Sequence, residues 1–382
     1  MLPLLAFLVG QLPDVPQPPR LRTILPNGAT ILVERAPGAK RIYARLLLSA
    51  RGAEETPTTH GMRHLLEHLV ATGRDGRIDE RLEREGAVLR AQTFRDATEF
   101  AVDAPGGKLS LALGALGEML GLRAITAEEI AREAGVMRQE AAVQEVPVRL
   151  SAAAWRVAYG DRGLDPAGSL DVIRTATPAS VAALHRRLCV GSNLVMVVVG
   201  DVNLDKTTAA VAPFLRSAPR VETKWTARPL GKGGRDDDAK GFGEVRALPV
   251  PAYDEPRTAA ALAAALALAS NVDNAFVLYT PSGRPGMVVL GQTQENSGLV
   301  EKVDGADPAA LWERGKPLAR GWLKRQTGDP GANASLRGLL LAGSTGDTPD
   351  AMAAAIEGLT YEDFAKAVAA FKGPGAVSVT GW

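Results

Sequence analysis

The chain has 382 residues, 46% of them hydrophobic, enough for two domains that each bury a core. Its 44 basic and 43 acidic residues balance to a net charge of +1, which excludes an overall nucleic-acid footprint and sends the search for function to a local site. The single cysteine, Cys189, excludes an intrachain disulfide and a thiolate zinc cage, so a metal here would need histidine and carboxylate ligands.

Residues 1–19 open with an apolar run from Leu2 to Val9 and continue into a proline-rich stretch. The run is too short to span a bilayer, so no integral membrane span is expected. It reads as a leader for periplasmic or other export, the alternative being an apolar arm on a cytoplasmic protein.

From Arg22 the pattern gives a strand, a tight turn at Pro26-Asn27-Gly28, a second strand with Ile31 and Val33 on one face, and a third strand from Ile42 to Ser49. The stretch "HGMRHLLEHLVATG" follows, with Thr58 or Thr59 placed to cap a helix that buries Leu65, Leu66, Leu69 and Val70. A short charged helix stops at Gly86, and strands at Val88–Thr93 and Ala97–Asp103 flank a turn at Arg95-Asp96. Two more helices follow, the second capped by Thr126 with Glu128 and Glu129 in its first turn.

Near residue 200 a helix capped by Thr177 ends at Gly191 and leads into a buried strand, Leu194–Val199. The C-terminus repeats this layout with Thr360, Gly373 and a strand at Ala376–Thr380. The expected fold is therefore α+β: two related modules, each a mostly antiparallel sheet packed with helices. The first spans 20–217, an exposed linker rich in glycine and charge spans 218–245, and a shorter second module spans 246–382, with long loops at 280–286 and 326–334.

On a helix, residues four apart share a face, so His64 and His68 can direct their imidazoles at one ion. Glu67 stands between them, placed to take a proton from a water at the metal without itself being a ligand. This is the H-x-x-E-H arrangement. A catalytic zinc needs a third protein ligand. Glu133 and Glu140 lie seven apart on the later helix, with Val136 and Met137 between them to pack inward. Spacing alone leaves these two acids either as partners of a metal or as part of a solvated face.

His64-Leu65-Leu66-Glu67-His68, Gly61 and the E-x6-E helix together resemble the pitrilysin and insulinase family of zinc metallopeptidases, which includes the mitochondrial processing peptidases. "LPNGATILVE", "FRDATEFAVDAP" and "LVMVVVGDV" extend the likeness over roughly residues 20–217. The resemblance implies half of a clamshell and one Zn²⁺ per chain held by His64, His68 and Glu140, with Glu67 as general base and Glu133 as supporting carboxylate. It also implies a peptide or unfolded protein as substrate, bound as an added strand along "VLRAQT", residues 88–93. A related subunit or a second copy of the chain is the implied partner. The alternative is a non-catalytic or partner-dependent subunit of a two-chain peptidase-like complex.

The chain departs from the family pattern at Arg63, Arg90 and Val70-Ala71. Tyr279 precedes Arg284, the reverse of the family's substrate-holding pair, so those roles are not assigned here. His60 reads as a capping or surface residue and His185 as an exposed helix residue. Cys189 reads as a core thiol without a histidine partner.

Overall fold

The structure, a computed structural model, describes residues 19–73, 76–294, 298–343 and 349–381; the apolar run at Leu2–Val9 lies outside the described residues. The first module runs β1 (Arg20–Ile24), β2 (Thr30–Arg35), β3 (Arg41–Ser49), α1 (Met62–Ala71), α2 (Ile78–Arg84), β4 (Val88–Thr93), β5 (Ala97–Pro105), α3 (Leu109–Leu120), α4 (Ala127–Val143), α5 (Val146–Tyr159), α6 (Leu170–Ile173), α7 (Pro178–Leu188), β6 (Leu194–Gly200) and α8 (Leu204–Arg216). The second runs β7 (Gly234–Ala239), β8 (Gly243–Val250), α9 (Pro256–Ala269), β9 (Ala275–Leu278), β10 (Gly286–Gln292), α10 (Leu299–Asp304), α11 (Pro308–Gly328), α12 (Pro330–Gly343), α13 (Pro349–Glu357), α14 (Tyr361–Lys372) and β11 (Val377–Gly381).

The first sheet has the order β1-β2-β6-β3-β5-β4 and the second β7-β11-β8-β10-β9. Without β1, the two match strand for strand: one parallel pair, β2 with β6 or β7 with β11, and antiparallel pairing elsewhere. Among the described residues each places five α-helices between its last two strands, and the Thr177 and Thr360 caps start the last helix of each five. The expected α+β pair of related modules, the second one shorter, is the fold observed.

Each sheet keeps one face for its own helices and gives the other to a helix of the opposite module. α5 lays Leu150, Ala154 and Trp155 on Val245, Val289 and Val379 of the second sheet. Its counterpart by order, α12, lays Ala334, Leu341 and Ala342 on Leu47, Val195 and Val197 of the first. β6 is consequently buried on both faces, and its sequence LVMVVVG is apolar without alternation. This exchange joins the modules through two apolar cores.

Three segments differ from the sequence expectation. Residues 234–245, placed within the linker, form β7 and the start of β8; β7 is a charged edge strand, GRDDDA, held by main-chain pairing to β11, which hydrophobic patterning does not reveal. The stretch 326–334 is helical, with α11 and α12 separated only by Asp329. The N-cap of α1 is Gly61, not a threonine: the Glu55 carboxylate accepts hydrogen bonds from the Gly61 and Arg63 N–H groups at 3.0 and 2.9 Å, placing a negative charge at the helix N-terminus. Among the described residues no helix is long and apolar enough to cross a membrane.

Candidate metal centre

α1 buries Leu65, Leu66, Leu69 and Val70 against the first sheet, which leaves His64 and His68 on the flank that meets α4. α4 begins in a capping box: the Thr126 hydroxyl accepts from the Glu129 N–H, and the Glu129 carboxylate accepts from the Thr126 N–H. From that start Glu133, Met137 and Glu140 fall on one face, and Met137, 2% exposed, packs the two helices together. Val136, expected to point inward, is 37% exposed: it lies about 100° round the helix from Met137, which takes the buried side.

All five singled-out residues meet at this crossing. The Nε2 atoms of His64 and His68 are 3.2 Å apart. Glu140 Oε2 stands 3.5 Å from the first and 3.4 Å from the second. Each ring turns its other nitrogen to an acceptor: His64 Nδ1 lies 3.2 Å from the Ala167 carbonyl and His68 Nδ1 lies 3.4 Å from Glu133 Oε2. Protons held at the two Nδ1 positions leave both Nε2 lone pairs facing the Glu140 oxygen. Zinc at about 2.0–2.1 Å from tetrahedral donors sets those donors about 3.3–3.4 Å apart, so this triangle has the right size and chemistry for the ion.

Glu67 is the rival third donor by distance, since its ligand atoms and those of both histidines all lie within 4.8 Å of one another. Its surroundings favour a different role. The Thr93 hydroxyl donates to Glu67 Oε2 at 2.6 Å, and burial raises the Glu67 pKa against the opposing pull of that bond and of His64. A buried carboxyl poised to take up a proton suits a base better than a ligand, and Glu140, with its side chain half exposed to the cleft, is closer to both imidazoles. Glu133 is held from behind by Arg132 Nε at 3.0 Å.

The supporting parts were not legible beforehand. Arg63 is buried and donates to the carbonyls of Phe94 and Arg95, which pins the β4–β5 turn to α1. His60, expected at a cap or on the surface, bonds through Nε2 to the Asp165 carbonyl at 2.7 Å and so anchors the loop that offers Ala167 to His64. Gly61 is what lets that loop approach: its φ is +96°, and a Cβ there would stand 2.8 Å from Gly168 Cα. In a sequence, only the paired glycines and the threonine at the strand end hint at this.

A cavity of about 590 Å³ opens beside the donors, bounded by α1, α4, Gln92 and Thr93 of β4, and Tyr279 and Met287 of the second module. β4 is the last strand of its sheet, so one edge of its backbone is not paired within that sheet. Arg284 is engaged elsewhere: it donates to Asp96 Oδ1 at 3.0 Å and stacks on Trp225. His185, expected to be exposed, is 7% exposed, with Nε2 3.3 Å from Cys189 Sγ one helical turn away. That contact supplies the histidine partner the sequence did not place; burial nevertheless pushes the Cys189 thiol up to about 12, so it stays a protonated core group.

α9, the counterpart of α1 by position, reads PRTAAALAAALALA and offers neither histidine nor carboxylate. The metal-type donor set thus belongs to the first module alone among the described residues.

The helix crossing of the first module thus sets a metal-type donor triangle beside a buried carboxyl. Residues 30–164 match the model of the insulinase family, peptidase family M16. It is 25% identical over 224 residues to an uncharacterized zinc protease of Streptomyces coelicolor, covering 56% of this chain and 48% of that protein. The solved structure of a protease from Helicobacter pylori is similar with a TM-score of 0.79 at 18% identity, covering 95% of this chain and 99% of that one. A peptidase M16 inactive domain from Pseudomonas fluorescens is similar at 0.72 and 18%, covering 95% and 97%. These likenesses establish the shared fold. The chain spans about half or less of the length of the curated relatives it matches.

Proposed function

We infer that the chain is a zinc-dependent endopeptidase for extended peptides, with His64, His68 and Glu140 as the metal's ligands. The observation that carries this reading is the triangle of Nε2, Nε2 and Oε2 atoms with edges of 3.2, 3.4 and 3.5 Å beside a buried carboxyl. Zinc held there would supply Lewis acidity, polarising a scissile carbonyl and acidifying a water. The chain's own groups do the rest. The edge of β4 aligns the peptide backbone as an added strand. Glu67 takes the proton of the attacking water and returns it to the leaving amine. Glu133 and the Ala167 carbonyl hold the imidazole protons at Nδ1.

A second reading is a partner-dependent subunit, and one observation favours it: Arg284 is bound within the chain. Export to the periplasm stays with the reading of the leader. Zinc content and cleavage of unfolded peptides, measured for the purified chain and for Glu67→Gln, separate these possibilities. Loss of cleavage with zinc retained in the variant supports the base; equal turnover by the variant removes it. One bound zinc and no cleavage by either protein favours the partner-dependent subunit.

A further inference from the structure

A second cavity of about 560 Å³ lies on the other side of β4 from α1, between the first sheet and α12. Strand alternation divides β4 between the two spaces. Leu89 packs on the core beneath α1 and Thr93 reaches Glu67, whereas Arg90 lines the second cavity only; Ala91 and Gln92 border both spaces.

On that face a ladder of charge crosses three strands. Arg45 on β3 donates to Asp103 Oδ1 on β5 at 2.7 Å, and Asp103 accepts through Oδ2 from Arg90 on β4. Arg45 is buried; the nitrogen that reaches Asp103 also donates to the Ala44 carbonyl, and its Nε and Nη2 donate to the Ser335 hydroxyl and the Gly331 carbonyl. Arg90 ends the ladder at the sheet edge with 57% of its side chain exposed. The order is positive, negative, positive, and the next place in the row is the open edge. Among the residues lining the cavity the charged ones are Arg45, Arg90 and Glu99. Burial raises the Glu99 carboxyl pKa despite Arg45, the Ser335 hydrogen bond and Arg90, which weakens its weight as a counter-charge.

We propose that Arg90 makes the second cavity a subsite for an acidic side chain, aspartate or glutamate, of a peptide bound along β4. The proposal rests on the edge-strand reading of the function. A strand added to β4 sends alternate side chains to each face, so one of them stands beside Arg90, and an opposite charge there continues the cross-strand alternation. A basic side chain entering the same space would pass Arg90 first.

The test uses the zinc-loaded Glu67→Gln chain, which holds a peptide without turning it over, and fluorescence anisotropy as the readout. A labelled extended host peptide carries glutamate, glutamine or lysine at each position in turn. One position is expected to favour glutamate over glutamine by roughly fivefold, with lysine weakest. Adding Arg90→Gln erases the gap and adding Arg90→Lys keeps part of it, with melting curves reporting the fold of each. No preferred position for glutamate, or a gap that survives Arg90→Gln, overturns the proposal. So does a preference for lysine that Glu99→Gln removes, which assigns the cavity to cations. If no peptide binds at all, the edge-strand reading falls and this proposal with it, whereas equal binding of all three overturns the charge preference alone.

Discussion

Thr93 donates a 2.6 Å hydrogen bond to Glu67, linking the last residue of the edge strand to the buried carboxyl of the metal-type helix. The bond stabilises the carboxylate and pulls the pKa down, while burial, the larger effect, pushes it up. In the proposed mechanism Glu67 acts only when deprotonated, so activity is expected to fall as pH drops through its pKa. Thr93→Val removes the lowering contribution: the acid limb of the kcat/KM profile moves to higher pH, and kcat near neutrality falls roughly tenfold, the scale of one charge-assisted hydrogen bond. A pH profile identical to that of the unaltered chain would show that Thr93 does not tune the base.

The two glutamates of α4 should separate by role. Glu140→Ala takes away a donor oxygen that meets both imidazoles and should abolish stoichiometric zinc binding. Glu133→Gln leaves the triangle complete and alters only the acceptor behind His68 Nδ1, so zinc still binds, about 10- to 100-fold more weakly. Competition against a chelator of known affinity reads both. Equal loss in the two variants would make Glu133 a ligand rather than an orienting group.

What the sequence revealed and what it hid follow from the range of the forces involved. Spacing on a helix fixes which side chains share a face, so the grouping of His64, Glu67 and His68 and the pairing of Glu133 with Glu140 were legible. Capping and turn chemistry act over three or four residues, which is why Thr126, Thr177 and Thr360 are observed as caps. Periodicity shows that α5 and α12 each have an apolar face, but not which sheet it covers, so their exchange between modules was hidden. The same limit hid β7, whose charged strand is defined by pairing, and His185, whose burial comes from contacts beyond its own helix.

Asp96 clasps the two modules. It is 9% exposed and accepts from Arg228 at 2.6 Å, from Ser282 at 2.8 Å and from Arg284 at 3.0 Å. Desolvation alone would raise its pKa, but the two guanidinium groups and the hydrogen bonds outweigh it, and the carboxyl titrates below its usual range. A folded-state pKa depressed below the unfolded value adds stability that is fully present above the unfolded pKa and is lost as pH falls through the folded one. Asp96→Ala leaves two buried cations without their carboxylate and should cost about 3–5 kcal/mol at pH 7 by urea titration. That deficit should shrink as the pH is lowered through the acid range; a deficit independent of pH would mean that Asp96 acts by packing.

Gly168 meets Gly61 backbone to backbone, with φ of +88° and +96° and a Cβ on Gly168 reaching 2.3 Å from Gly61 Cα. Neither the left-handed backbone nor the contact admits a side chain, so Gly168→Ala must push the 165–168 loop away from the start of α1. That loop carries the Ala167 carbonyl facing His64 Nδ1 and the Asp165 carbonyl facing His60. The expected cost is about 1–3 kcal/mol of overpacking, together with weaker zinc retention, because His64 loses the acceptor that keeps its proton at Nδ1. Thermal melts with and without added zinc check both parts. A variant that loses stability but holds zinc as tightly as the parent would show that the Ala167 contact does not orient the imidazole.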